Sequence, residues 1–529
     1  MRAARRWPII LCFLAASLVV AVPVLCVRMP PLVDYPAHLA GVHVLRDLLT
    51  TRRFAGIYQL QVAVIPNLAI VGGVLPLALA GLDIEVAGRL FLLATCLGVA
   101  FGVCAVHRAL FQRVSFVPLV AFAYAYNEML SFGFLNWLAG VALALFGFAW
   151  WVRVAHAERP RAGARHRLAI GMAVWSVAIF FAHLMALLLL LGLVLAYEVA
   201  APAGWRDRVW RLRAVLPAGF VAAVLIAMAP VTGHQEGPGL LAPLFAIVRD
   251  PGLLRERLWL FEHALLGPSL PVDIASAASL GVLALVSLAR GRVRVAWPMA
   301  LPIAGLVIAG LVGPSIWHGT AFIADRWPGV VLLLAVASLD VHPVARRGAT
   351  LVGAALLLLV VGRTAVVTWH WRAVDRAYAE MRPVLAAVAQ GAAIYSVVNA
   401  RGGSYGELAQ PWSHFAAYAA IDQTAYVADM WAEPDQSLIV RTPFYQQLQS
   451  VRPWAINHVA RSAAPEPGAD MLAPAALRRF DYLLAVRPEL YQRLLPPMLT
   501  PVGQAGDAIL FRIRHEMADT RVQQEPVSR

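Results

Sequence analysis

Apolar and polar positions divide the chain in two. From residue 8 to about residue 367, apolar runs long enough to cross the ~30 Å hydrocarbon layer recur between short polar breaks; beyond that the two kinds of residue mix in ordinary proportion. The runs predict helices over 8–27, 115–130, 134–153, 168–182, 184–200, 213–231, 273–290, 297–313, 327–341 and 349–367, with one more leading into the arginines that begin at 108. Arginine-rich breaks at 108–113, 153–167, 206–213, 290–294 and 346–347 belong on the cytoplasmic side, and Arg2, Arg5 and Arg6 hold the N-terminus there. The first helix then runs outward. That sidedness leaves no crossing for 58–81, where Pro66, Pro76 and the Gly72-Gly73 pair interrupt the run, so this stretch is read as a re-entrant or juxtamembrane element on the outer face. About eleven crossings remain, and the C-terminal part lies outside.

In that part, the β-type runs AIYSVV (393–398), DYLLAV (481–486) and AILFRI (508–513) alternate with helix-like stretches, and residues from about 516 onward read as a loose tail. The predicted architecture is an α-helical polytopic membrane domain over 1–367, with an outer-face juxtamembrane segment at 34–81, followed by a small extracytoplasmic α/β domain over 368–529.

Composition agrees with this. The 529 residues are 60% hydrophobic and 14% charged, with a mean hydropathy of +0.69, which excludes an ordinary soluble protein. A net charge of +14 would suggest nucleic acid in a soluble chain, but here the cations fall in short loops where membrane orientation accounts for them, and no nucleic-acid partner is expected. No lysine occurs, which removes Schiff-base chemistry and lysine-based phosphate loops. Cys12, Cys26, Cys96 and Cys104 lie in or beside apolar segments, so neither a disulfide framework nor a cysteine zinc site is expected. The start is basic, then apolar, like a secretory signal, but its length and the lack of a small-x-small cleavage site favour a retained anchor.

Given this sidedness, polar residues collect at the outer boundary: Asp34, His38, Asn127, Glu128, Asn136, His183, His318, Asp325 and Arg326, with His234 and His263 in a longer outer loop. Ionisable groups at membrane depth are costly and tend to line an aqueous cavity. Each also has a plainer reading. Asp34 stands just before Pro36 and is placed to cap a helix, while His38, four residues on, shares its face and can hydrogen-bond to it; two such ligands do not make a metal site. Phe132, Phe134 and Trp137 beside Glu128 and Asn136 suit an interfacial anchor, and His183 suits a satisfied core histidine. Arg326 lies on the side where the charge rule disfavours arginine, which calls for a partner: Asp325, a lipid phosphate or an anionic substrate.

The words DYPAHLA (34–40), IPNLA (65–69), AGRLFL (87–92), AYNEMLSFGFLNWLAG (125–140), FAHLMAL (181–187) and ADRWP (324–328) cover most of the membrane domain. Together with an aspartate after the first outward helix and an external C-terminal domain, they resemble the GT-C superfamily of glycosyltransferases, most closely a set of uncharacterised bacterial membrane proteins related to it. The resemblance implies a multi-pass protein of the bacterial inner membrane. Its partners would be membrane lipid, a polyprenyl-phosphate-linked sugar as donor, and a glycan, lipid or protein acceptor at the outer face. It gives Asp34 the part of the acidic residue in the first outer loop, which acts as base or orients the acceptor. An acidic pair is frequent there, and Tyr35 stands where the second acid would be, so a divalent cation stays open as a cofactor but is not required.

Inverting transfer suits these residues: a carboxylate takes the acceptor's proton while phosphate leaves. Asp34 would be the base with His38 positioning it, Arg326 would stabilise the departing phosphate, and Glu128, Asn136, His183 and Asp325 would bind substrate. Two other functions share these features. A transporter or flippase of lipid-linked glycan is disfavoured by the lack of an internal repeat and by the one-sided clustering, and a non-catalytic envelope-assembly subunit is favoured by the lone acid.

Overall fold

The computed structural model describes residues 7–157, 163–230, 242–317, 320–341, 346–398, 411–448, 477–487 and 495–515. Helix α1 (Trp7–Cys26) leads through α2 (Tyr35–Leu49), strand β1 (Tyr58–Leu60) and α3 (Ala69–Leu79) into α4 (Ile84–Phe111). Two short helices, α5 (Leu119–Ala123) and α6 (Glu128–Ser131), precede α7 (Leu135–Ala155), α8 (Ala164–Ala182) and α9 (Leu184–Ala200). There follow α10 (Trp205–Arg213), α11 (Leu216–Met228), α12 (Ala242–Arg249), α13 (Gly252–His263) and α14 (Leu270–Ala289), then α15 (Ala300–Val312), α16 (Arg326–Ala337) and α17 (Arg346–Met381). Among the described residues, seven helical stretches are long and apolar enough to cross a membrane: Trp7–Cys26, Ile84–Phe111, Leu135–Ala155, Arg165–Ala182, Trp205–Met228, Leu270–Ala289 and Thr350–Ala387. The chain is a mostly helical, multi-pass membrane protein.

Two segments differ in detail from the pattern-based expectation, and the structure gives the form of a third. The crossing predicted at 115–130 is not one helix: Asn127 is extended (φ −111°, ψ 176°) and its side chain accepts the Leu130 amide, so α6 starts afresh. The run over 58–81 resolves into a three-residue strand and the 11-residue α3, which at ~1.5 Å per residue is too short to cross straight through ~30 Å. The last helix, expected to end at 367, continues to Met381. Its extension carries buried Trp371, Val374, Tyr378 and Met381 at helical spacing, so the amphipathic stripe prolongs the helix after the uniform apolarity ends.

Short antiparallel pairs, β2 (Val293–Val295) with β5 (Leu339–Val341) and β3 (Ile316–Trp317) with β4 (Thr320–Ala321), fall between helices. The C-terminal part contributes β6 (Ala393–Val398), β7 (Tyr426–Val427), β8 (Ile439–Arg441), β9 (Tyr482–Val486), β10 (Leu499–Ala505) and β11 (Ala508–Ile513). Five of these form a mixed sheet in the order β10-β11-β9-β6-β7, in which β6 runs parallel to both neighbours and β11 antiparallel to both of its own. Every residue of β6 and β9 is buried, as parallel strands covered on both faces require.

Helix α2 joins the two parts. Tyr35, Leu39 and Val42 pack into the core of the membrane domain, whereas Ala37, Ala40, Val44 and Leu48 pack into the core that contains β6, β9 and the end of α17. Apolar residues on two faces explain how a moderately polar helix is buried from both sides. Strand β1 pairs antiparallel with β8, Gln59 opposite Val440, and fastens the segment after α2 to the same domain.

A candidate active site at the junction of the two domains

Asp34 is set by backbone pairing. The Val33 amide donates to Ser131 O at 3.0 Å and the Asp34 amide to Phe132 O at 3.1 Å. Gly133, at φ +84°, lies so close that a Cβ there would stand 2.8 Å from Asp34 N and 2.9 Å from Asp34 Cβ. Only glycine satisfies both the left-handed backbone and the close approach. Gly133→Ala is therefore expected to displace the Asp34 loop and to lower any reaction at Asp34 by about 10²-fold. Transfer assayed beside thermal unfolding will separate this loss from misfolding.

Asp34 occupies the N-cap position of α2 but makes no side-chain cap bond. The capping reading is thus corrected: its carboxylate is turned elsewhere. It faces His414, with Oδ1 3.7 Å from Nε2, and His414 Nδ1 in turn faces Asp429 Oδ2 at 3.2 Å. The rings of His38 and His414 each pack on Trp431 at 5.0 Å between centroids. His38 shares the helical face with Asp34, as its spacing predicts, and its amide donates to Asp34 O. Its ring contact is with Trp431.

Burial pushes the Asp34 carboxyl up to about 7, against the opposing charges of His414 and Arg326. Burial draws His38 down to about 4, and the charge of His414 adds to this. For His414 itself, burial acts downward, but Asp429 and then Asp34 outweigh it and hold the imidazole above its ordinary value.

Arg326 opens α16 and is within electrostatic reach of Asp34. Its Nη1 lies 3.1 Å from His183 Nε2 and 3.1 Å from Met185 Sδ, and its guanidinium stands over Phe134 at 4.9 Å and Trp137 at 5.9 Å. His183 stands at the start of α9, where its Nδ1 faces the Met185 amide and its Nε2 the guanidinium, and its single lone pair can accept from one of the two at a time. Asp325 sits next to this group within reach of the charges of Glu128, Arg257 and Arg326. Glu128 Oε1 pairs with His263 Nδ1 at 3.0 Å. Asn136 is turned to another use, with its Oδ1 accepting the Ile70 amide at 2.8 Å and anchoring the start of α3. His234 and His318 lie outside the described residues.

Asp34, His38, His183 and Arg326 are thus gathered around one junction, with Asp325 and Glu128 beside Arg326. His414, Asp429 and Trp431 were not found by sequence reasoning. They lie in stretches, PWSHFAA and ADMWAE, that carry no spacing signal and are distant in the chain from Asp34. Among the described residues no group of three or more His, Cys, Asp or Glu stands in metal-holding geometry. The charged neighbours of Asp34 are a guanidinium and an imidazole, a set that does not fit the all-oxygen shell of magnesium or calcium.

No protein-family model matches the chain, and no curated protein matches it. Two solved structures do. The chain is similar to ArnT from Cupriavidus metallidurans in the apo state, at 14% identity and a TM-score of 0.49 over 96% of this chain and 98% of that one. It is similar also to ArnT bound to undecaprenyl phosphate, at 13% identity and a TM-score of 0.49 over 95% and 97%. A likeness this distant carries no argument about chemistry.

Proposed function

We propose that the protein is an inverting glycosyltransferase of the bacterial inner membrane. It moves a sugar from a polyprenyl-phosphate donor to an acceptor hydroxyl on the outer face, where the domain built on β6–β11 also lies. The observation that carries this reading is a half-buried carboxylate, free of any capping duty and held by backbone pairing, within electrostatic reach of an arginine set on two aromatic faces.

Each group has a stated part. Asp34 accepts the proton of the acceptor hydroxyl as its oxygen bonds to the sugar carbon and the bond from that carbon to phosphate breaks. Its elevated carboxyl makes it a stronger base near neutral pH than an exposed aspartate. Arg326 meets the charge that develops on the leaving phosphate, and packing on Phe134 and Trp137 orients its guanidinium. His38 is neutral near pH 7 and bounds the acceptor side with Trp431, whereas Glu128 and Asp325 flank the donor side. The absence of lysine leaves phosphate recognition to arginine.

The test is to offer radiolabelled polyprenyl-phosphate sugars and a membrane extract to the purified protein. Label is expected to appear in an acceptor while polyprenyl phosphate is released. Movement of the labelled lipid across a vesicle bilayer without transfer would replace the enzyme by a flippase, and neither transfer nor movement would point to an assembly subunit.

A further inference from the structure

His414 stands between two carboxylates, one from each domain. Asp34 Oδ1 is 3.7 Å from its Nε2 and Asp429 Oδ2 is 3.2 Å from its Nδ1. A neutral imidazole carries one N–H and one lone pair, so in either tautomer a lone pair would be aimed at a carboxylate. Only the doubly protonated ring presents N–H to both sides. Asp429 Oδ1 and His414 Nδ1 are both buried and neither has a hydrogen-bond partner among the described residues, so the two groups are joined by charge at 3.2 Å rather than by an aligned hydrogen bond, which favours the cationic ring.

We propose that His414, clamped by Asp429, is held as an imidazolium and acts as the counter-ion that keeps Asp34 ionised, so that the C-terminal domain is a working part of the base. This rests on the reading of Asp34 as the base and adds to it a positioning residue from the other domain. The charged and titratable groups facing the pair are few. Asp34 is faced by His414 and by Arg326 of α16; His414 is faced by Asp34, Asp429 and His38 of α2; Asp429 is also within reach of Tyr58 of β1, Tyr395 of β6 and Tyr426 of β7. Of the cations, Arg326 is committed to the leaving phosphate in the proposed reaction, so when that charge appears only His414 continues to hold Asp34.

The sheet explains why this domain can provide such a group. Parallel strands β9, β6 and β7 end on the same side, and Asp429 follows directly on β7. The carboxyl ends of parallel strands are where α/β units place functional groups. Here that edge delivers Asp429, His414 and Trp431 to the start of α2. Trp431 packs on both His38 and His414, which lowers the local dielectric around the pair and strengthens its interaction.

As pH falls through the Asp34 value the base is lost, and the imidazolium sets how far that loss is held off, so the acid limb of transfer is expected to move to higher pH in His414→Gln. The decisive measurement does not depend on transfer. Full-length protein carrying carboxyl-labelled aspartate is titrated in nanodiscs by infrared spectroscopy, with the Asp34 band assigned by its absence in Asp34→Asn. In His414→Gln the Asp34 midpoint is expected to rise by about 1–3 pH units, the effect of removing an opposite charge within a few ångström. Asp429→Asn is expected to raise it in the same direction by less. An unmoved midpoint in folded His414→Gln overturns the proposal. Should that variant not fold, Asp429→Asn decides alone, and an unmoved midpoint there overturns it equally. If wild-type protein transfers no sugar at all, the glycosyltransferase reading fails while the titration still reports on the pair.

Discussion

Asp34→Asn is expected to lower sugar transfer by about 10²–10⁴-fold, the range typical for losing a positioned general base, without unfolding the protein. The amide has the shape of the carboxylate. The native side chain makes no cap bond to α2, and the backbone bonds of Val33 and Asp34 to Ser131 and Phe132 do not depend on it. Stability should even favour the variant. Because the Asp34 carboxyl rises from 3.8 to about 7 in the folded state, the native protein binds more protons than the unfolded chain between these values. Its stability therefore falls as pH rises through that window, and a neutral amide is spared this loss. Single-turnover transfer and thermal unfolding at several pH values, measured on both proteins, check the two halves. Transfer that survives the substitution removes Asp34 as the base, whatever the reaction proves to be.

The largest effect on stability is expected at Asp273. In the membrane domain Arg363 Nη1 lies 2.5 Å from Asp273 Oδ1, and both side chains are almost fully buried. The guanidinium also donates from Nε to Ala123 O at 3.0 Å and from Nη2 to Leu265 O at 3.2 Å, and it lies over Tyr124 at 4.1 Å. Asp273 Oδ2 accepts the Gly267 amide at 2.8 Å. This cluster joins α14, α17, the end of α5 and the turn after α13. Asp273→Ala leaves the buried cation without its carboxylate and should destabilise the protein by about 3–5 kcal/mol. The paired replacement Asp273→Leu with Arg363→Met should recover most of the loss, since removing both charges also removes their desolvation. Unfolding curves of Asp273→Ala, of Asp273→Leu and Arg363→Met singly, and of the double variant test this, and an Asp273→Ala melting curve that overlays wild type would refute it.

The sequence made some of these features visible and hid others for identifiable reasons. The membrane class was plain because burial in hydrocarbon demands uninterrupted apolarity, and that is a one-dimensional property. Asp34, His183 and Arg326 stood out because a polar residue in such a background is conspicuous. The break at Asn127 was harder to read, because a single extended residue can interrupt an apolar run without changing its composition. The extension of α17 to Met381 was missed for the opposite reason, since its stripe of Trp371, Val374, Tyr378 and Met381 lies among charged residues that lower the local hydropathy.

By itself, the order of residues determined a helical membrane protein with a small C-terminal α/β domain, and it singled out one early carboxylate and the arginine at 326. Both follow from local physics: hydrocarbon rejects polar groups, and the periods of helix and strand are written in neighbouring residues. Tertiary structure alone decided that Asp34 does not cap α2, that Asn136 anchors α3, and that His414 and Asp429 meet Asp34 across a domain junction. Such contacts join residues far apart in the chain, and no local pattern encodes which distant side chain a carboxylate will face once two cores have packed against opposite sides of the same helix.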